Sequence, residues 1–172
     1  MNIPTPDRTE ADAYYFTYID KVPRDTDIVR HLEAQLDETT ALLNGVADDK
    51  SLHRYAPGKW SIRESMSHVN DTERVFAYRA LRFARGDETP LASFEQDLYV
   101  PKGNFNARTL SSLADEFSHL RAGTRDLYSY LDAEALGRRG SASGFVVTVR
   151  AMAFVIAGHV AHHERVLREK YL

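Results

Sequence analysis

The stretch from residue 109 to residue 131, TLSSLADEFSHLRAGTRDLYSYL, decides the fold of this 172-residue chain. Thr109 is a suitable N-cap, because its hydroxyl can accept a hydrogen bond from an N–H group of the first turn. After it, apolar and small positions recur three and four residues apart: Leu110, Leu113, Phe117, Leu120, Thr124, Leu127 and Leu131. On a helix this spacing forms one continuous stripe, which other elements must cover. The stretch therefore predicts a long amphipathic helix inside a helical assembly.

An earlier helix is predicted to have Asp25 or Thr26 as its N-cap and to end at Asn44 and Gly45. Between those bounds apolar residues recur at helical spacing, at Ile28, Leu32, Leu36 and Leu43. Residues 1 to about 24 precede it and contain a cluster of aromatic side chains, Tyr14, Tyr15, Phe16 and Tyr18. A solvated tail would not need those rings. We therefore expect an ordered N-terminal arm that lies on the body.

Two more helices complete the pattern. Ser61 and Glu64 have the S-x-x-E spacing of a capping box, which predicts a helix from there to about Ala84. The last helix follows a break at three glycines, Gly137, Gly140 and Gly144, and has an apolar side that includes Met152, Val155, Ile156 and Val166. Four long amphipathic helices predict an all-α fold, a four-helix bundle. The length predicts a single domain over residues 1–172.

Residues 85–108 are predicted to form a long crossover connection between the second and third of these helices. They contain turn residues and few periodic positions: Gly86, Pro90, Pro101 and Gly103. Their apolar and aromatic members are expected to pack onto the bundle: Leu91, Phe94, Leu98, Tyr99 and Phe105. Periodicity alone leaves the order of the helices in the bundle open.

The composition narrows the classes of partner. Lys and Arg total 22 against 25 Asp and Glu, for a formal net charge of -3. The cations are scattered, so nucleic acid is not an expected partner. Arg150 and then histidines interrupt the apolar run of the last helix, which falls short of the roughly 20 residues that span a bilayer. No membrane partner is expected. The first residues lack a basic stretch followed by an apolar core, which predicts a cytoplasmic protein.

Three histidines are predicted to bind one divalent metal ion. His159 and His163 have the H-x-x-x-H spacing that lets two imidazoles on one helix face converge on an ion. His68 is the candidate third ligand, because small and polar residues around it would line a cavity better than fill a core: Ser61, Ser65 and Thr72. The chain has no cysteine, so such a site would use imidazole, carboxylate or water.

The alternative for these residues is a plain bundle whose core histidines are satisfied by hydrogen bonds. His162 also lies on the buried face of the last helix and is expected to line the pocket. The other histidines are expected to be solvated or peripheral, since they lie off the apolar stripes or in a loop: His31, His53 and His119.

The chain resembles the DinB/YfiT-like superfamily in two places. One is the run PGKWSI at residues 57–62, followed by His68. The other is the H-x-x-H-H pattern preceded by Gly158, which comprises His159, His162 and His163. The resemblance covers most of the chain, from the first long helix to the last. The pairing of a mid-chain histidine with a C-terminal H-x-x-x-H makes it fairly specific.

The resemblance implies a four-helix bundle with a central divalent metal ion, usually zinc or nickel, bound by residues that match His68, His159 and His163. It also implies a homodimer and a small-molecule substrate. Similar members include thiol-dependent S-transferases and isomerases that use low-molecular-weight thiols. One departure leaves the subfamily and substrate open: many relatives follow the paired histidines with Arg-Gly-Gln, whereas this chain has Glu164, Arg165 and Val166.

Three imidazoles leave room on the metal for water or a thiol, which the ion would deprotonate near neutral pH. The predicted function is therefore metal-dependent thiol transfer, with hydrolysis as the closest variant. Glu64, one turn before His68, is a candidate proton shuttle, although its capping role is sufficient to explain it; Asp71 is no better a candidate. The alternative from another class is a metal- or small-molecule-binding bundle protein without catalytic activity.

Overall fold

Four long helices form the body of this computed structural model, which describes residues 3–172. In chain order the elements are α1 (Phe16–Ile19), α2 (Ile28–Asn44), α3 (Ile62–Ala84), α4 (Gln96–Lys102), α5 (Leu110–Ser129), α6 (Ala133–Gly137), β1 (Arg139–Ala142), β2 (Phe145–Thr148) and α7 (Val149–Lys170). The long helices are α2, α3, α5 and α7, so the predicted all-α four-helix bundle is confirmed. The first two residues of the predicted arm, Met1 and Asn2, lie outside the described residues.

Side-chain caps fix where three of the long helices begin. Ser61 and Glu64 form the capping box predicted for α3. Thr109 and Thr148 cap α5 and α7 by accepting hydrogen bonds from backbone N–H groups three residues later. Each cap satisfies a donor that has no partner inside the helix, so these sequence positions set the register of the residues that follow.

The start of α2 differs from the prediction. Its N-cap is Asp27, which accepts from the Arg30 N–H, instead of Asp25 or Thr26. Asp25 has a left-handed backbone with φ of 60°. That conformation is incompatible with the first turn of a right-handed helix, so the helix begins after it.

The connections determine the direction of each helix. Arg63 at the start of α3 donates to the carbonyl oxygens of Asn106 and Arg108, just before α5. The hydroxyl of Tyr171, just after α7, donates to the Trp60 carbonyl just before α3. Thus α3 and α5 start at the end of the bundle where α7 finishes. Since α3 and α5 are neighbouring parallel helices, the segment between them must return along the bundle, which confirms the predicted crossover.

The crossover is more structured and less buried than predicted. It contains α4 and a short 3-10 turn at Phe105–Ala107. Leu98 and Tyr99 are 57% and 45% exposed, so the expectation that they pack onto the bundle is wrong. Val100 is the buried residue of α4, and helical geometry turns the two preceding side chains away from the side that it buries. The other members of the predicted set are half-buried: Leu91, Phe94 and Phe105.

A β-hairpin lies where the sequence predicted only a break. β1 pairs antiparallel with β2, and Ser143 and Gly144 between them have φ of 58° and 82°. Two successive positive φ values are typical of the tight turn that suits a two-residue hairpin. Ala11 and Leu91 form isolated bridges to the two strands, to Val147 and Ala142. The arm and the crossover thus cover both edges of the hairpin.

Two apolar clusters fill the bundle, one at each end, with a polar layer between them. The cluster at the hairpin end includes Ile28, Phe83 and Phe154, and the other includes Met66, Leu113 and Phe117. Every long helix contributes a buried polar residue at the intermediate level: Gln35, His68, Glu73, Arg121 and His159. Buried polar groups are costly without partners, so this layer is where function is expected. None of the described helices is long and apolar enough to cross a membrane.

Gly158 allows the N-terminal arm to lie against α7. A Cβ atom at this position would overlap the carbonyl oxygen of Tyr18. We expect Gly158→Ala to displace the arm and to lower the free energy of unfolding by about 1–3 kcal/mol, the usual cost of overpacking. Gly123→Ala on α5 is the matched control, because a Cβ there meets nothing within 4 Å. It should be neutral or stabilise by up to about 1 kcal/mol. Urea unfolding measures both, and equal stability of the two variants would contradict this role.

Candidate metal centre

Three histidine rings from two helices meet in the polar layer. His68 comes from α3, and His159 and His163 come from successive turns of α7. Each offers a ring nitrogen, and these nitrogens lie within 4.8 Å of one another. The ring centroid of His68 lies 5.1 Å from that of His159 and 5.0 Å from that of His163. The structure therefore brings together the three histidines that the sequence singled out.

The spacing of the nitrogens fits one shared ion. The Nε2 atoms of His68 and His159 are 3.1 Å apart. Two nitrogens bound to a tetrahedral zinc ion would be about 3.4 Å apart, since each Zn–N bond is about 2.0–2.1 Å. A hydrogen bond between two neutral imidazoles would also suit 3.1 Å. His163 makes no side-chain hydrogen bond to any residue in 3–172, so hydrogen bonding within the protein does not account for all three rings.

The protonation states also suit metal binding. Burial lowers the pKa of His68 to about 4, although the nearby Asp97 carboxylate acts in the opposite direction. Burial and the neighbouring histidines hold the pKa values of His159 and His163 well below the ordinary range. The three rings are therefore neutral near pH 7 and carry the lone pairs that a metal ion needs. Thr72 Oγ1 lies 3.5 Å from His68 Nδ1, at the outer limit of a hydrogen bond.

Aromatic side chains surround the imidazoles. The Trp60 ring lies 5.0 Å from that of His68, and the rings of Tyr18 and Phe76 lie 5.4 and 6.1 Å from that of His159. Tyr18 belongs to α1, so the N-terminal arm contributes to the site. Such walls limit water and strengthen electrostatic interactions within the site.

Two cavities border the histidine cluster. One, of about 290 Å³, reaches His68 and His159. The other, of about 330 Å³, reaches His162 and His163. Gln96 and Asp97 of α4 line both cavities. The crossover helix therefore lies between two routes by which a small molecule can approach the imidazoles.

The carboxylate of Glu64 is held away from these cavities. It accepts from the Ser61 backbone N–H at 2.7 Å, from Arg54 at 2.7 Å and from Asn106 at 3.0 Å. Burial alone would raise the pKa of Glu64, but the hydrogen bonds from Arg54 and Ser61 hold it below its ordinary value. We assign Glu64 to the capping role. Asp71 faces Arg74 at 3.6 Å and lines neither cavity.

The remaining histidines are distributed as expected. His162 lines the second cavity, and its ring lies 5.1 Å from that of His163. His31 is half-buried on α2, while His53 and His119 are exposed.

Sequence reasoning missed Arg79, Glu95 and Asp97, which are charged residues of the cavities. Asp97 lies on α4, which the pattern of residues 85–108 did not predict. Arg79 stands eleven residues after His68 on α3, which on a helix is about 20 degrees away on the same face. That spacing was a usable indication.

The sequence comparison decides the family. The model of the DinB superfamily matches residues 31–167. The chain belongs to the DinB superfamily. The resemblance stated from the two histidine motifs is therefore confirmed. No curated protein matches this DinB superfamily chain.

A solved structure with the same fold is YfiT from Bacillus subtilis, described as a probable metal-dependent hydrolase with an unusual four-helix bundle topology. It shares 16% sequence identity with this DinB superfamily protein, with a TM-score of 0.73. The match covers 86% of this chain and 91% of that chain. At this identity the likeness establishes the fold.

The departure from the superfamily's Arg-Gly-Gln pattern has a structural role here. Glu164 accepts a hydrogen bond at 2.5 Å from the hydroxyl of Thr39 on α2. Burial raises the pKa of Glu164. This residue thus connects α7 to α2 and leaves the three clustered histidines unchanged.

The depressed pKa of His68 predicts a pH-dependent stability of this DinB superfamily protein after chelator treatment. The unfolded chain binds a proton at His68 below about pH 6.5, whereas the folded protein does so only near pH 4. His68 therefore contributes about 3 kcal/mol to the free energy of unfolding. This contribution is fully present above pH 6.5 and is lost as the pH falls towards 4. Urea unfolding between pH 4 and 7.5 measures the loss. His68→Gln should reduce it and His119→Gln should not; an unchanged slope in His68→Gln would refute the assignment.

Proposed function

We propose that this chain is a divalent-metal-dependent enzyme that activates water or a small thiol for attack on a small-molecule substrate. The observation that carries the proposal is the convergence of three neutral imidazoles, from His68, His159 and His163, at the border of two cavities. Three histidine ligands with an accessible remaining side are typical of catalytic sites, whereas structural sites are closed by four protein ligands. The description of YfiT as a probable metal-dependent hydrolase supports hydrolysis, and the resemblance of the histidine motifs supports thiol transfer.

The chemistry divides between the ion and the chain. A divalent ion held by the three histidines would lower the pKa of water or of a thiol and polarise a substrate carbonyl. Asp97 is our candidate to accept the released proton, because its carboxylate lines both cavities and acts electrostatically on His68. The rings of Tyr18, Trp60 and Phe76 would limit competing water.

The identity of the ion and the assembly are further parts of the proposal. Imidazole ligands suit zinc and nickel alike, and we propose one of these. The superfamily resemblance supports a homodimer. Metal analysis and light scattering on the purified protein measure these two properties, and a monomer in dilute solution would exclude the dimer.

The test is turnover by protein purified without a histidine tag, stripped with a chelator and reloaded with zinc or nickel. A panel of esters, amides and alkyl halides is offered with water alone and with small thiols. Sustained product formation that requires metal supports an enzyme, and the thiol requirement separates transfer from hydrolysis. Stoichiometric metal or ligand binding without turnover would support the non-catalytic alternative. Full rate and an unchanged pH profile in Asp97→Asn would exclude its role in proton transfer.

A further inference from the structure

Arg79 is a buried cation without an acidic partner. Three arginines are buried to less than a tenth exposed, namely Arg63, Arg79 and Arg121. Arg63 pairs with Asp48 at 2.8 Å and Arg121 with Glu73 at 2.9 Å. Arg79 is 3% exposed, yet no carboxylate of residues 3–172 lies within 4.0 Å of it. Burying an unpaired charge is costly, so a residue in this position needs an explanation.

The guanidinium of Arg79 is only partly satisfied. Its Nη2 atom donates to the Ala92 carbonyl oxygen and to Ser143 Oγ, both at 2.9 Å. Its Nη1 and Nε atoms donate to no group in the described part of the chain. They are also not among the fully enclosed atoms without partners, which within that part are Ser67 Oγ and Asn70 Oδ1. These donors are therefore not fully enclosed, and Arg79 lines two cavities.

One of these two cavities reaches the histidine cluster. Its volume of about 290 Å³ suits part of a small molecule. Arg79 and His68 project from the same face of α3, about 16 Å apart along the helix axis. The ring centroids of Phe76 and Phe94 each lie 5.7 Å from the central carbon of the guanidinium. The cavity thus has a cationic group at one place and imidazoles at another, and aromatic rings line it.

We propose that Arg79 binds an oxyanion of the substrate, a carboxylate or a phosphate, while the apolar part of the substrate lies along the aromatic wall. Guanidinium groups bind these anions through charge-assisted hydrogen bonds, which are stronger when solvent is excluded. The same cavity is lined by Glu95 and Asp97, but both are exposed to water, which screens their repulsion of the anion. The inference rests on the proposed function only in identifying the ligand as a substrate.

Matched probes test the charge requirement. 3-Phenylpropionate and its neutral amide, 3-phenylpropionamide, differ in charge at nearly constant shape, and 2-phenylethylphosphonate distinguishes carboxylate from phosphate-type anions. Binding is measured by calorimetry on chelator-treated protein, so that no probe binds through a metal ion. We expect the wild type to bind one of the anions at least about tenfold more tightly than the amide, as a hydrogen-bonded charge in a buried site requires.

Three variants assign the preference to a residue. Arg79→Met should abolish it, whereas Arg82→Met, one turn away on α3 and paired with Asp87, should retain it. Arg79→Lys keeps a charge, so it should retain a preference at reduced affinity. Because Arg79→Met removes an unpaired charge, its melting temperature should not fall below that of Arg82→Met.

Four results would overturn the proposal. The first is equal binding of the anions and the amide by the wild type. The second and third are a preference for the anion that survives in Arg79→Met and loss of that preference in Arg79→Lys. The fourth is a strongly lowered melting temperature of Arg79→Met, which would assign the guanidinium to the fold. Each can occur whether or not the protein proves to be a metal enzyme, since the binding is measured without metal. Failure of the proposed function would instead appear as absent turnover with the probe preference intact.

Discussion

Glu73→Gln is expected to lower the free energy of unfolding by about 3–5 kcal/mol, because it leaves a buried guanidinium without its counter-ion. Glu73 and Arg121 form a two-point pair, with Arg121 Nε and Nη2 each 2.9 Å from a carboxylate oxygen. Their side chains are 2% and 0% exposed. Arg121 Nη1 also donates to Gln35 Oε1 at 2.7 Å, and Gln35 Nε2 donates to the Ala157 carbonyl at 3.0 Å. One network therefore connects α2, α3, α5 and α7, and its loss affects the whole bundle.

Urea unfolding followed by circular dichroism measures this change. Glu134→Gln is the matched control, since Glu134 forms an exposed pair with Arg138 and should contribute less than about 1 kcal/mol. The double variant Glu73→Leu with Arg121→Met removes both charges and should recover much of the stability. A loss below about 1 kcal/mol in Glu73→Gln would show that the buried pair does not support the fold as described.

His68→Ala and His163→Ala are each expected to weaken metal binding by more than about 100-fold. Each substitution removes one of the three proposed ligands. Removing a residue that merely hydrogen-bonds to a metal ligand already costs about 10–100-fold in affinity. Competition with a chromogenic chelator measures the dissociation constants. Because any metal-dependent turnover needs the bound ion, activity at limiting metal should fall with the affinity. His119→Ala is the control, since His119 is exposed on α5.

His162→Ala tests whether His162 only lines the cavity or also binds the metal ion. Its ring lies 5.1 Å from that of His163, but it is not part of the group whose nitrogens converge. We expect metal affinity within about tenfold of the wild type. A loss as large as that of His163→Ala would place His162 among the ligands and alter the proposed centre.

The helices and their caps could be predicted because they depend on local chemistry. Ser61 and Thr109 act through neighbouring backbone groups, and apolar spacing on α5 requires only helical periodicity. The histidines could be selected for the same reason, since the spacing of His159 and His163 places both rings on one face. His68 was indicated by the small and polar residues around it and by the superfamily resemblance, because no local pattern connects α3 with α7.

The parts that escaped prediction depend on contacts distant in sequence. Arg121 occupies the stripe of α5, and only its pairing with Glu73, 48 residues away, makes burial of a charge possible. The hairpin before α7 forms bridges to the arm and the crossover, which are distant in sequence. Its glycines alone therefore could not predict it. Arg79 shares the face of His68 on α3, but its burial depends on contacts with Ala92 of the crossover and Ser143 of the hairpin turn.

The most direct test of the account is the anomalous X-ray scattering of crystals of the untagged protein, recorded on both sides of the absorption edge of the metal found in it. We predict a single strong peak about 2.0–2.2 Å from a ring nitrogen of each of His68, His159 and His163. The result that would contradict the account is a fully loaded metal peak elsewhere on the protein, or rings at these three positions that contact only one another and water.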